Sequence, residues 1–237
     1  MDTQRILQFL RDVAANNNRP WFQEHKGEYD AVRADFEAGV AQLIGRIAAF
    51  DASVAHLSVK DCTYRFYRDT RFSADKSPYK RHFGAYICAK GKKSLHGGYY
   101  IHVEPDSCMV ATGSYWLPTN ILTSCRNEIM ANEEEWLRRV ESADFLRYYK
   151  DAFEPSTYDD AWQRKQGFGL EKLKSAPAGF PRDYRYLQYL RMKDYCCWHR
   201  VSDTFFEGDA WLAKAVKMFK AAKPMMDFMN GVIDDYE

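Results

Sequence analysis

Near Thr63 the hydrophobic period of the chain changes, and that change restricts what it can fold into. Before it, apolar and aromatic residues recur at three- and four-residue steps. The first set is Ile6, Phe9, Leu10 and Val13, and the second is Phe22, His25, Tyr29, Val32, Phe36, Leu43 and Ile47. After it, aromatic and β-branched residues dominate, punctuated by Gly and Pro. Helix-period sequence followed by strand-period sequence predicts an α+β protein. The expected order is an N-terminal helical hairpin, a central antiparallel sheet and C-terminal helices.

Local signals divide these regions. Thr3 is the expected N-cap of the first helix, and Asn16-Asn17-Asn18 ends it, because Asn favours caps and turns. Pro20 then suits the first turn of one long second helix. Strands are expected over residues 64–68, 83–88, 98–104 and 108–112, with Pro105-Asp106-Ser107 turning the last two into a hairpin. A helix should start at Pro118 and Thr119, and shorter helices should fill residues 132–164. Residues 167–181 read as a loop and residues 191–201 as a further strand. Leu212, Val216 and Phe219 mark a C-terminal helix that Pro224 should kink or interrupt. Trp21, Trp116, Trp162 and Trp211 are expected in a core or an interface. No repeat or linker divides the sequence, so residues 1–237 read as a single α+β domain.

Charge excludes some partners. Over 237 residues the net charge is +1, which disfavours a generic nucleic-acid coat or a polybasic membrane protein. No run approaches the roughly 18 apolar residues of a membrane span, and the N-terminus carries no apolar signal core. A cytoplasmic location is expected. The six cysteines have no C-x-x-C spacing, so neither a zinc knuckle nor a disulfide framework is indicated. The charge is uneven, however. Between Lys60 and Tyr100, ten Lys and Arg face three Asp and Glu, a local balance of +7.

That stretch holds the residues best suited to chemistry. Arg65, Arg68, Arg71, Lys76 and Lys80 surround the loop Ser73–Pro78, and guanidinium and ammonium groups converging there would suit a phosphate or carboxylate. The bland alternative is a solvated basic face, with Asp69 and Asp75 pairing some of the charges. On the strand near residue 102, Tyr100, His102 and Glu104 share one face while Ile101 and Val103 face the core. His102 and Glu104 side by side suit an acid–base pair or two metal ligands. A metal would need a third ligand, and no spacing selects among His82, His96 and His199, so no metal site is assigned. The H-x-E string is not followed by the P-C-x-x-C of zinc deaminases. Gly91-Lys92-Lys93-Ser94 lacks the spacing of a phosphate loop.

Several blocks in order carry a family resemblance. They are Asn16-Asn17-Asn18-Arg19 with Trp21-Phe22, Arg68-Asp69-Thr70-Arg71-Phe72-Ser73 with Asp75-Lys76-Ser77-Pro78-Tyr79-Lys80, and Gly98 to Pro105. Trp116-Leu117-Pro118, Leu173-Lys174 with Ala176-Pro177 and Gly179-Phe180, and Leu190-Arg191-Met192-Lys193 complete the set. The chain resembles domain-of-unknown-function family 2461, uncharacterised and mainly bacterial proteins. The resemblance implies no activity, cofactor or catalytic residue. It does place Arg68, Asp69, Arg71, Asp75, Lys76, Lys80, His102, Glu104 and Lys193 at motif positions.

The expected function is binding of, or action on, a small anionic ligand, phosphorylated or carboxylate. Arg65, Arg68, Arg71, Lys76, Tyr79, Lys80 and Lys193 would bind the anion, with His102 as acid–base and Glu104 as its orienting partner. Tyr79 or Tyr100 would donate a hydrogen bond. One alternative is a single-stranded nucleic-acid module stacking bases on Tyr64, Phe66, Tyr67, Phe72 and Tyr79. Another is a protein-interaction module without chemistry. The sequence decides neither catalysis, cofactor nor oligomeric state.

Overall fold

Asp2, one residue earlier than expected, caps the first helix, its carboxylate accepting from the Arg5 N–H. That helix, α1, spans Thr3–Ala15 and buries Ile6, Phe9, Leu10 and Val13, the stripe read from the sequence. The expected long second helix is two. Helix α2 is Arg19–Glu24 and α3 is Lys26–Ala48, with His25 at the break. The His25 ring stacks on Trp21 at 4.0 Å and its Nδ1 meets the Trp21 carbonyl, so the ring closes the end of α2 and is only half-buried. The bonds and rings joining Asp2 to Asp35 and Phe9 to Tyr29 make α1 and α3 antiparallel, the expected hairpin.

The computed structural model describes residues 1–150 and 164–236, in two compact units. The first comprises Met1–Lys92, Tyr100–Val110 and Val201–Val216, and the second comprises Lys93–Tyr99, Ala111–Arg200 and Lys217–Glu237. Part of the helical region expected over residues 132–164, and Trp162 with it, lies outside the described residues. The short helix α4 is Val59–Cys62. The sheet is antiparallel with five strands: β1 Phe83–Ile87, β2 Gly98–Val103, β3 Met109–Ser114, β4 Gln166–Phe168 and β5 Tyr195–Arg200. Their order is β1-β2-β3-β5-β4. The β2–β3 turn is as expected, with Asp106 at φ 61° and the Ser107 N–H donating to the Glu104 carbonyl.

Two strand expectations need correction. Residues 64–68 are not a strand, since only isolated bridges, Thr63 to Ala85 and Tyr67 to Tyr79, tie them. Pro78 opposite Arg68 offers a carbonyl but no N–H, which stops a ladder. Conversely, β4 starts at Gln166 and runs into the stretch 167–181 read as a loop. It is legible only through its partner: Gly167 pairs with Trp198, whose ring occupies the space a side chain at 167 would need.

In the second unit the remaining helices are α5 Thr119–Ala131, α6 Glu133–Val140, α7 Ala143–Tyr149 and α8 Leu187–Leu190. Buried Arg126 satisfies its guanidinium on the carbonyls of Leu190 and Met192. The C-terminal helix, α9, spans Ala210–Ile233 and runs through Pro224 instead of stopping there. Ala215, Phe219 and Ala222 before the proline and Met225, Met226 and Met229 after it continue one buried stripe. Burial of that stripe outweighs the roughly 3 kcal/mol cost of an interior proline. Trp211 is buried, whereas Trp116, expected to pack, is 76% exposed in the turn between β3 and α5. All six cysteines are free and buried. Among the described residues no helix is long and apolar enough to cross a membrane.

Asp194 holds the loop before β5. Its buried carboxylate accepts the backbone N–H groups of Leu170, Glu171 and Cys196. Burial raises its pKa to about 7, against the pull of those three donors. The native state therefore holds this proton more tightly than the unfolded chain. The resulting stability is fully present below about pH 4 and is lost as pH rises through about 7. Asp194→Asn removes the titration. The urea midpoint of the natural protein should fall relative to that of the variant between those limits, and parallel curves would refute the assignment.

Candidate functional site

In the first unit, rings set the position of the basic segment before any charge does. Phe22 stacks on Tyr79 at 4.0 Å, and Phe66 packs against Phe9, Phe22, Tyr29, Tyr79 and Phe83. Phe66 and Tyr79 are each 2% exposed, so neither offers a face to a nucleic-acid base. Tyr79 is also held through its backbone. Its N–H donates to Asn17 Oδ1 and its carbonyl accepts from Asn17 Nδ2, both at 3.0 Å. The Asn17 carboxamide thus satisfies the backbone edge of Tyr79 that faces away from residues 66–68. The Arg68 N–H to Pro78 and Lys80 N–H to Phe66 bonds, each 2.9 Å, complete the frame.

The loop beyond it is bonded to itself. Arg71 donates Nε and Nη2 to Asp69 at 3.0 and 2.6 Å, and Lys76 Nζ donates to the Thr70 carbonyl at 2.9 Å. Arg68 donates to Asp75, to the Ser77 carbonyl and to Ser73 Oγ. The Arg71 hydrogen bonds bring Asp69 down to about 2, and those of Ser77, then Arg68, do the same for Asp75. Phe72 at the loop tip is 97% exposed. Arg65 is exposed, and Lys193 lies in the second unit, paired with Glu171 at 2.8 Å.

Beside this loop is a pocket of about 300 Å³. Its lining includes Asn17, Arg68, Lys80, Arg81, His82 and Glu104. Arg68 is matched by Asp75, but neither Lys80 nor Arg81 forms an ion pair among the described residues. Lys80 lies over the Tyr64 ring, half-buried. Burial, then the charges of Arg65 and Arg33, pull its pKa below the usual lysine range.

At one side of the pocket stand the side chains of the β1–β2 pair. Tyr100 Oη meets His102 Nδ1 at 2.8 Å, and His102 Nε2 meets Glu104 Oε2 at 2.9 Å. The alternation of β2 puts these three on one face while Ile101 and Val103 are fully buried, as the sequence pattern indicated. Gly84 on β1 leaves room for Tyr100, since a Cβ there would lie 2.7 Å from its hydroxyl. His82, next to β1, brings its ring within 4.4 Å of the His102 ring. Burial, then the charge of His102, lowers His82 to about 3, so it is neutral at physiological pH. Burial pushes Glu104 up, but the hydrogen bond and charge of His102 outweigh it and leave the carboxyl below its usual range. One donor atom from each of His82, His102 and Glu104 lies within 4.8 Å of the others, and among the described residues these three are the group that could hold a metal ion.

Of the three histidines that spacing left undecided, the structure brings His82 to His102. His96 is bound to Asp234 and His199 to the Tyr148 carbonyl, both in the second unit. Asn17 and Arg81, which belong to a family block and to the basic segment respectively, are given no binding role by the sequence. Asn17 reads as a helix-ending residue, and nothing local signals a partner 62 residues away.

A helical hairpin and an antiparallel sheet, with an acid–imidazole cluster beside a basic pocket, define an α+β protein with a concave polar site. No curated protein and no solved structure matches the chain. Residues 5–228 match the family described as conserved hypothetical protein (DUF2461), and the chain belongs to that family.

Asn17→Asp tests the frame of the site. A carboxylate still accepts the Tyr79 N–H but sets an oxygen against the Tyr79 carbonyl, which should cost about 1–3 kcal/mol. Urea unfolding at pH 7 measures this. Part of the loss should return below about pH 4, where a protonated carboxyl can donate again. An unchanged midpoint at pH 7 would show that the clamp contributes nothing.

Proposed function

We propose that the pocket of the first unit binds a small anionic ligand through a phosphate or carboxylate group. The observation that carries this is the pair Lys80 and Arg81, two cations lining one pocket of which neither forms an ion pair among the described residues, although Glu104 shares the lining. A half-buried ammonium without a counter-ion is costly, and an incoming anion removes that cost through charge-assisted hydrogen bonds. Arg68, pinned by Asp75 and Ser77, offers a positioned edge of its guanidinium. Arg71 and Lys76 bond within the loop and shape it.

His102 acts in this reading through its neighbours. Both of its ring nitrogens are engaged, by Tyr100 and by Glu104, so it orients Glu104 and does not itself reach the ligand. Of the pocket-lining groups able to accept a proton from a bound molecule, Glu104 and His82 stand beside His102, and Asp75 is engaged by Arg68.

A thermal-shift and calorimetric panel of inorganic phosphate, pyrophosphate, a sugar phosphate, a nucleotide and a dicarboxylate tests the proposal, with a short single-stranded RNA alongside. A ligand at 100 times its Kd should add about 2.7 kcal/mol of stability. Arg81→Gln and Lys80→Gln should each weaken binding about tenfold or more, by loss of a charged hydrogen bond. Lys217→Gln, on the exposed side of α9, should leave it unchanged. No response to any small anion would overturn the proposal, and a response to RNA alone would replace it with the nucleic-acid reading.

A further inference from the structure

We propose that His82, His102 and Glu104 form a divalent metal site of the zinc-binding type, at the edge of the basic pocket. The proposal deepens the anion-pocket reading and rests on it for what the ion would touch. Two imidazoles and one carboxylate are the donor set of catalytic zinc sites that keep a further coordination position open. The three donor atoms lie within 4.8 Å of one another. Zinc with ligand bonds near 2.0–2.2 Å would want them roughly 3.4 Å apart, a closure that small side-chain rotations supply. His102 and Glu104 already stand at 2.9 Å on the same face of the β2 end.

The surroundings prepare the donors. In the metal-free chain His102 Nε2–H donates to Glu104 and Nδ1 accepts from the Tyr100 hydroxyl; an ion taking Nε2 would displace that proton, and Nδ1–H would then donate to Tyr100 Oη. A second partner of this kind fixes tautomer and ring orientation at metal-bound histidines. Gly84 provides the space for that hydroxyl. His82 is half-buried, yet its ring nitrogens have no hydrogen-bonding partner among the described residues. Lys80 and Arg81 beside the site oppose a bare cation, but they suit an ion whose open position is filled by an anionic oxygen. Ion, ammonium and guanidinium would then share one phosphate or carboxylate.

The test uses the full chain, stripped with chelator and dialysed against Zn²⁺, with bound metal counted per chain. Parallel loading with Co²⁺ gives a visible spectrum that separates nitrogen and oxygen ligation from thiolate ligation. One zinc per chain and a cobalt spectrum without thiolate bands are expected. Glu104→Gln and His82→Asn should each weaken zinc retention by more than about tenfold, and Tyr100→Phe by about tenfold. Circular dichroism checks folding. Should His82→Asn not fold, Glu104→Gln and the cobalt spectrum of the natural protein decide. Absence of stoichiometric zinc in the folded natural protein overturns the proposal. So do thiolate bands, or retention untouched by Glu104→Gln. Phosphate binding, measured in chelator and in zinc, separates the two readings. Phosphate bound without any zinc retention sinks the metal site and leaves the pocket, whereas zinc retained without phosphate binding in either state sinks the pocket and leaves the metal site.

Discussion

The paired hydrogen bonds between Asn17 and Tyr79 carry the geometry of the first unit's basic segment. A proline at 78 denies that segment a regular ladder, and the exposed loop that follows is polar and short of apolar anchors. What holds it is one carboxamide presenting a donor and an acceptor to one residue, two backbone hydrogen bonds to Phe66 and Arg68, and a group of packed rings with Phe22 on Tyr79. These fix Lys80, and Arg81 and His82 follow along the backbone into β1. A side chain in the turn between α1 and α2 therefore sets where the pocket's cations lie. The helical hairpin and the strand region are joined by polar geometry as much as by burial.

The same principle sorts the charges of the segment. Composition shows a surplus of cations between residues 60 and 100 but not which of them are spent within the protein. Arg71 and Lys76 lie in a loop where carbonyls and Asp69 are close, and they are satisfied locally. Lys92 is satisfied likewise, by the carbonyls of Lys60 and Thr63. Lys80 and Arg81 lie just before β1, where neither forms an ion pair among the described residues. A cation partner is thus a matter of what the backbone brings near, and only the folded chain displays it.

Much of the architecture was legible because it depends on local periodicity. The stripe of α1, the alternation of β2 with Ile101 and Val103 inward, and the turn at Pro105–Ser107 all follow from residues adjacent in sequence. The failures share the opposite cause. Strand β4 has three residues and a glycine, and it exists because Trp198 covers Gly167. Helix α9 crosses Pro224 because apolar residues on both sides of it are buried. The break at His25 depends on the ring stacking on Trp21.

The site divides along the same line. Tyr100, His102 and Glu104 were visible as one face of a strand, since a period of two needs only the neighbouring residues. His82 was one of three equivalent candidates, because a residue twenty positions away joins that face only through strand pairing. Once paired, it changes the meaning of the other three. Without His82, a tyrosine–histidine–carboxylate row is a polar strand face, internally satisfied. With it, an imidazole that no described residue hydrogen-bonds stands against a histidine held at both ring nitrogens, at the wall of a pocket that Lys80 and Arg81 also line. The components each have a structural explanation. Their convergence does not, and it is that convergence which makes this face of the first unit the place to look for chemistry.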